Sequence, residues 1–191
     1  MDEKPRIRIT KLRDVHTYCE MWYASQSLLL DGRSDAEGSY CQFMRSLVFT
    51  AFSLEAYLNH IGPRLLESWP AMERRSPKNK LTTIAKKLGI EIDFETQPWQ
   101  IMEGLLGFRN DIAHGKTVKV QDDVVVPLEE HNRHYLEFAQ TDWEKFCTQE
   151  NAERAREDVE RIVRTLDEAS GLGKHPFIGG WQETEATLEG E

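Results

Sequence analysis

The chain lacks several features that would place it in a familiar class. None of its apolar runs approaches the ~20 residues that a membrane-spanning helix needs, so we expect no membrane partner. It has no Gly-rich phosphate loop, internal repeat or low-complexity tract, so neither a P-loop nucleotide site nor a repeat architecture is expected. The three cysteines (Cys19, Cys41 and Cys147) are odd in number and far apart. They predict buried free thiols in a reducing cytosol rather than a disulfide framework.

The composition that remains is typical of a helix-rich globular domain. The 191 residues are 39% hydrophobic and 30% charged, which is enough for one domain with a sizeable core. Residues 1–6 lack the apolar core of a signal peptide, so we expect a cytoplasmic protein. Residues 1–171 are predicted to form the domain and residues 172–191 an acidic, flexible tail.

The charge is acidic overall but unevenly distributed. A formal net charge of −9 disfavours a dedicated nucleic-acid-binding protein. Residues 181–191 hold four glutamates and no basic residue, whereas residues 64–87 hold seven basic residues and two acidic ones, a local charge of +5. The basic segment is interpreted either as a solvated helix face or as a surface for an anionic partner.

Hydrophobic periodicity predicts an all-α fold, an antiparallel bundle of about five to six helices. The predicted helices span residues 12–30, 35–61, 77–88, 98–114, 128–146 and 149–169. Gly62-Pro63 is expected to end the second helix, and Ser76-Pro77 is expected to cap and open the third. After the fourth helix, residues 117–126 are rich in valine and predict a short β-hairpin or an extended loop.

One octapeptide, residues 108–115 (Phe-Arg-Asn-Asp-Ile-Ala-His-Gly), combines side chains suited to acid–base and phosphate chemistry. Asn110 and His114 lie one turn apart on the same helix face, and Arg109 lies about 100° around the axis from Asn110. Histidine moves a proton near neutral pH, and arginine presents a planar fork of donors to phosphate. The structural alternative is a helix C-cap, in which His114 bonds the last carbonyls and Arg109 pairs with an acid.

The order Arg109-Asn110-x-x-x-His114 resembles the signature of the HEPN superfamily, in which a polar residue follows the arginine and a histidine stands four to six positions beyond it. Residues 51–59 (Ala-Phe-Ser-Leu-Glu-Ala-Tyr-Leu-Asn) are also similar to an early helix of many bacterial members. The resemblance in architecture covers residues 12–170. It implies a helical domain that forms a homodimer through its motif helices, with a composite cleft between them.

Active members of this superfamily are metal-independent endoribonucleases, so the resemblance implies an RNA substrate, no cofactor and a toxin or defence role. His114 would move the proton at the ribose 2′-hydroxyl or the leaving oxygen, Arg109 would stabilise the transition state, and Asn110 would position either group. Other members are non-catalytic dimerisation or protein-interaction modules, and a nucleotide-binding sensor that uses the same cleft is a third interpretation. An antitoxin-like protein is a further expected partner.

Other residues are assigned around this motif. Glu55 stands among apolar neighbours, and a partly buried carboxylate needs a partner, for which we hypothesise Arg109 or His114. An exposed position at the edge of the helix is the alternative for Glu55. The candidate RNA-binding residues are Arg74, Arg75, Lys78 and Lys116.

Two remaining groups are given simpler interpretations. His131 and His134 stand three apart, the spacing of a helical metal pair, but no third ligand is suggested, so both are predicted to be surface residues. No metal site is expected. Trp181 is a lone aromatic residue in a polar tail and is predicted to dock on a neighbour or a partner.

Overall fold

The protein is a helical bundle with a small two-stranded sheet. The computed structural model describes residues 6–34, 38–132, 137–173 and 175–188. The α-helices in these residues are α1 (Thr17–Ser34), α2 (Ser39–Leu65), α3 (Trp69–Met72), α4 (Pro77–Leu88), α5 (Ile101–Ala113), α6 (Asp142–Phe146) and α7 (Gln149–Ser170). The strands are β1 (Ile7–Arg13) and β2 (Gln182–Leu188). The all-α fold class predicted from the sequence is therefore confirmed, and no helix in the described part is long and apolar enough to cross a membrane.

The central helix of the bundle is α2, which packs against α1, α3, α4, α5 and α7. Its apolar residues recur at alternating steps of four and three, which places them on one face of an α-helix. The fully buried members of this stripe are Leu47, Ala51, Leu54, Leu58 and Ile61. Because α2 contacts every other long helix, side chains on different faces of α2 contact different neighbouring helices.

Local signals explain both ends of α4. The Ser76 hydroxyl accepts a hydrogen bond from the backbone N–H of Asn79, and Pro77 occupies the first turn, where its missing N–H costs nothing. Gly89 follows the last residue with φ 73°, a left-handed conformation that favours glycine. The predicted start and end of this helix are confirmed.

Two predicted helix boundaries are wrong. The expected break at Gly62-Pro63 does not occur, because α2 continues through both residues to Leu65. The first helix does not begin at residue 12, since residues 7–13 form β1 and α1 starts at Thr17. Ile7 and Ile9 alternate with Arg8 and Thr10, a short strand signal that the helical interpretation overlooked.

The predicted single helix over residues 128–146 is wrong, because residues 137–141 have no regular structure and α6 begins only at Asp142. A 3₁₀ turn covers Leu128–Glu130, residues 131–132 are helical, and residues 133–136 lie outside the described residues. Thr141 forms a capping box with Glu144, because its hydroxyl accepts from the Glu144 N–H while the Glu144 carboxylate accepts from the Thr141 N–H. This start signal stands in the middle of the apolar pattern that suggested one long helix.

The sheet is formed by segments at opposite ends of the chain. β1 and β2 pair antiparallel, with Ile7 opposite Leu188 and Arg13 opposite Gln182. β2 thus lies within the segment for which the sequence predicts a flexible tail. Residues 115–127 contain no regular element. Of the two predicted alternatives for this segment, the extended loop is therefore confirmed and the β-hairpin is wrong.

The cysteines follow the sequence prediction only in part. All three are free thiols. Cys19 and Cys147 are buried, but Cys41 is exposed, so the expectation of three buried thiols is wrong for that residue. Cys41 lies in the first turns of α2, away from the stripe of residues that α2 buries.

Candidate functional site

The motif lies at the C-terminal end of α5, which is held in place by its apolar face. The buried residues of this helix are Ile101, Met102, Leu105 and Phe108. His114 is the C-cap, and its backbone N–H donates to the carbonyl oxygen of Asn110 at 2.9 Å. The last turn of α5 is therefore fixed on the bundle while its outer face stays open to solvent.

Arg109 points from α5 towards α2. One terminal nitrogen, Nη2, donates to the Glu55 carboxylate, and the other, Nη1, donates to the Asn110 side-chain oxygen at 2.9 Å. The guanidinium carbon lies 5.6 Å from the centre of the Phe52 ring, within the range of a cation–π contact. The side chain is 18% exposed. Arg109 is thus a largely buried cation with contacts to Glu55, Asn110 and Phe52.

Glu55 is partly buried, and its partner is the Arg109 that the sequence hypothesis named. The alternative of an exposed, unpartnered edge carboxylate does not describe this residue, whose side chain is 23% exposed. A carboxylate at this depth stabilises a neighbouring cation more strongly than an exposed one, because less water screens the pair.

His114 faces a different environment from Arg109. The side chain is exposed, and its imidazole has no hydrogen-bond partner among the described residues. It lines an open cleft of about 450 Å³ together with Asn110, Lys116 and Trp143. Arg109 does not line this cleft. The structure therefore brings Asn110 and His114 together, and Arg109 is linked to the cleft through its hydrogen bond to Asn110.

The C-cap alternative is met only in part by this geometry. Arg109 does pair with an acid, as that alternative requires. The capping contact of His114, however, comes from its backbone N–H, and the imidazole is left for other contacts. A histidine that only capped the helix would direct its ring at the last carbonyls.

Lys80 is the residue that the sequence interpretation misplaced. Both interpretations of the basic segment, residues 64–87, require exposed side chains, but Lys80 is 2% exposed. Its ammonium group donates to the Asn59 side-chain oxygen at 2.8 Å and lies 3.9 Å from the Glu55 carboxylate. A signal was present, since Lys80 stands four residues before Ile84, in phase with the buried stripe of α4.

The remaining candidate RNA-binding residues separate into two places. Lys116 is exposed and lines the same cleft as His114. Arg74, Arg75 and Lys78 are exposed around the start of α4 and do not line that cleft. The Lys78 ammonium lies 4.4 Å from the centre of the Phe94 ring, which leaves its charge at the surface.

The described residues offer no metal centre. They contain no group of three or more histidine, cysteine or carboxylate side chains that could hold an ion. His131 is exposed directly after the 3₁₀ turn, as predicted, and His134 lies outside the described residues. Trp181 is about half exposed and joins the base of the sheet through its carbonyl oxygen, which accepts from the Asp14 N–H.

A second cluster of titratable side chains lies where α1 meets α2. The His60 ring lies 4.8 Å from that of His16 and 4.9 Å from that of Tyr18, centre to centre. Burial, with the positive charge of Arg64 and the neighbouring His16, lowers the pKa of His60 to about 4. His60 is therefore neutral at physiological pH, and its role in this cluster is packing between aromatic rings.

No match was found when the chain was compared with protein-family models, with curated proteins and with solved structures. What this protein does is therefore to be inferred from the chemistry of its own residues.

Proposed function

We propose that this protein is a HEPN-like, metal-independent endoribonuclease of a toxin or defence type, with a site completed across a homodimer. The observation that supports this most directly is the position of Asn110. Its side chain accepts from Arg109 and also lines the cleft of His114. A phosphate-binding cation and an unpaired imidazole are thereby joined through one amide at the exposed end of α5.

The proposed reaction needs only a proton carrier and a cation. His114 takes the proton of the ribose 2′-hydroxyl, and the 2′-oxygen attacks the adjacent phosphorus. The bond from phosphorus to the 5′-oxygen breaks, and that oxygen takes up a proton as it leaves. The products are a 2′,3′-cyclic phosphate and a 5′-hydroxyl. Arg109 stabilises the negative charge that develops on the phosphoryl oxygens.

A homodimer is proposed because one protomer keeps Arg109 and His114 apart. Glu55 holds the Arg109 guanidinium against α2, whereas His114 faces the open cleft. If two copies of α5 met at their exposed faces, the cleft of each copy would lie beside the motif of the other. Val118, which is 60% exposed beside the cleft, would gain cover in such a contact.

The second candidate is a non-catalytic interaction module on the same dimer. It is favoured by the ion pair between Arg109 and Glu55, because the carboxylate already neutralises the positive charge that would bind a phosphate. It is also favoured by large apolar side chains exposed after the motif. These are Val118, Val120, Val124, Val125, Leu128 and Phe138. Exposed apolar side chains that join into one contiguous patch are typical of surfaces that bind other proteins.

The test is incubation of purified protein with a mixed single-stranded RNA in EDTA. Wild type is expected to cleave and to leave 2′,3′-cyclic phosphate ends, and His114→Ala is expected not to cleave. His175→Ala is the matched control, because His175 is exposed and lies outside the cleft. Cleavage by all three proteins would indicate a contaminating nuclease and contradict the proposal.

Absence of cleavage by a folded wild-type dimer would favour the interaction module. The nucleotide sensor would instead be recognised by thermal stabilisation with a nucleotide, by an amount set by ligand concentration over Kd. Expression in cells separates the candidates further. Toxicity that Arg109→Ala and His114→Ala both relieve is expected of the ribonuclease alone.

A further inference from the structure

Three charged side chains from three helices form one largely buried network. Lys80 comes from α4, Glu55 from α2 and Arg109 from α5. The single carboxylate faces both cations, with Oε1 3.9 Å from the Lys80 ammonium and Oε2 bonded to Arg109. The network has a net charge of +1, so it is not a simple neutral ion pair.

Lys80 is the most deeply buried of the three side chains. It is 2% exposed, and its ammonium group donates to Asn59 at 2.8 Å and lies 5.9 Å from the centre of the Trp69 ring. A buried ammonium group is costly unless it is paired and hydrogen-bonded, so these contacts fix its position. The ammonium is therefore a fixed charge against which the Glu55 carboxylate is oriented.

We propose that Lys80 is a positioning residue for Arg109 and acts through Glu55. By attracting Oε1, it leaves Oε2 as the oxygen that receives Arg109. The guanidinium then keeps its second terminal nitrogen for Asn110, beside the cleft. Without Lys80, Oε1 of Glu55 is open to Nε of Arg109, which has no hydrogen-bond partner among the described residues. A bidentate contact through Nε and Nη2 would then turn the guanidinium towards Glu55 and move Nη1 from its position beside Asn110.

The same residue also sets the charge at the site. Glu55 and Arg109 alone are neutral, whereas with Lys80 they retain the charge of one cation. The consequence of this net charge for RNA cleavage rests on the proposed ribonuclease function. The positioning of Arg109 is a property of the folded chain and can be measured without substrate.

The experiment is NMR of the arginine side chains in the full-length protein. Arg109 Nε is buried, so its proton is expected to exchange slowly with water, and it has no hydrogen-bond partner among the described residues, so its signal is expected to respond if Glu55 turns towards it. Its signal is identified by its loss in Arg109→Lys. Lys80→Met is expected to shift or broaden this signal, and Lys87→Met, an exposed lysine of the same helix, is expected to leave it unchanged.

The signal of Arg156 serves as an internal reference. Arg156 is buried elsewhere in the bundle and donates to the Trp22 carbonyl, so a change confined to Lys80 leaves it in place. An unchanged Arg109 signal in folded Lys80→Met would overturn the proposal. If Lys80→Met does not fold, Asn59→Ala takes its place. Asn59 is exposed, and its substitution removes the hydrogen bond that fixes the Lys80 ammonium, so the same change in the Arg109 signal is expected.

Cleavage measurements then separate this inference from the proposed function. If wild type cleaves RNA, Lys80→Met is expected to lower kcat/KM on the order of 10- to 100-fold through misplacement of Arg109, while Lys87→Met matches wild type. If wild type does not cleave RNA, the ribonuclease proposal fails, and the NMR result alone decides whether Lys80 positions Arg109.

Discussion

At the residue scale, the charged and titratable side chains of this site divide into those paired inside the bundle and those exposed to solvent. Arg109 and Lys80 share the Glu55 carboxylate inside the bundle, whereas His114 and Lys116 face the cleft. A partly buried charge has few conformations available and acts from a defined position. An exposed imidazole is accessible to a substrate, so the two kinds of residue are suited to different tasks.

Glu55→Gln is expected to destabilise the fold. The substitution leaves two cations facing each other without a counter-charge, at a cost of about 1–3 kcal/mol. The free energy of unfolding in urea measures this. Glu91→Gln, at an exposed position, is the matched control and should lie within about 0.5 kcal/mol of wild type. Equal stability of the two variants would mean that Glu55 does not support the network.

The second residue-scale prediction concerns pH and His60. Its pKa in the folded protein is about 4, below the ordinary value of 6.5, because of burial and the charges of Arg64 and His16, partly offset by Asp14. Between these values the unfolded chain binds more protons than the folded one. Stability is therefore expected to fall as pH decreases through this window, and the loss is complete below pH 4.

Urea unfolding at about pH 7 and about pH 4.5 measures this dependence. Wild type is expected to lose about 1–2 kcal/mol more than His60→Gln over this range, after allowance for partial exposure. The raised pKa values of Asp158 and Asp167, caused by burial, act in the opposite direction and are common to both proteins. Identical losses would show that His60 contributes nothing to the acid sensitivity.

At the element scale, the site depends on how closely α3 and α5 approach α2. Gly62 lies in the last turns of α2, and a Cβ at that position would overlap the Trp69 ring of α3. Trp69 in turn stands near the Lys80 ammonium. The absence of a side chain at Gly62 thus allows the contact that encloses Lys80.

Gly62→Ala is expected to lower stability by about 1–3 kcal/mol, because the Trp69 ring must move. Gly107→Ala in α5 is the opposite case, since a Cβ there meets nothing within 4 Å. It is expected to raise stability by about 0.5–1 kcal/mol, since alanine loses less backbone entropy in a helix. Thermal unfolding of both variants checks this. An equal effect of the two would contradict the close packing of Trp69 against Gly62.

At the scale of the whole molecule, the C-terminal segment is anchored to the bundle through Phe177. Phe177 is 8% exposed and stacks on Trp22 of α1, with ring centres 4.3 Å apart. The Tyr23 hydroxyl donates to the Phe177 carbonyl at 2.9 Å. Beyond this anchor, every residue of β1 and β2 is exposed.

Two truncations are therefore expected to differ in how much they lower the free energy of unfolding. Removal of residues 182–191 takes away β2 and should cost no more than about 1 kcal/mol, because an isolated two-stranded sheet is only marginally stable. Removal of residues 172–191 also takes away Phe177 and should cost about 2–4 kcal/mol. Calorimetric unfolding of both proteins measures the difference. Equal loss in the two would place the stabilising contact in the sheet instead.

The sequence by itself determined the helical class, the buried stripe of α2, the limits of α4 and the position of His114 at the end of α5. These features are encoded by neighbours within a few turns, where periodicity and capping act. Only the tertiary structure decided that Lys80 is buried, that Arg109 turns to Glu55 and away from His114, and that the two ends of the chain pair as strands. Each of these depends on segments far apart in sequence, whose contacts follow from packing and not from local pattern.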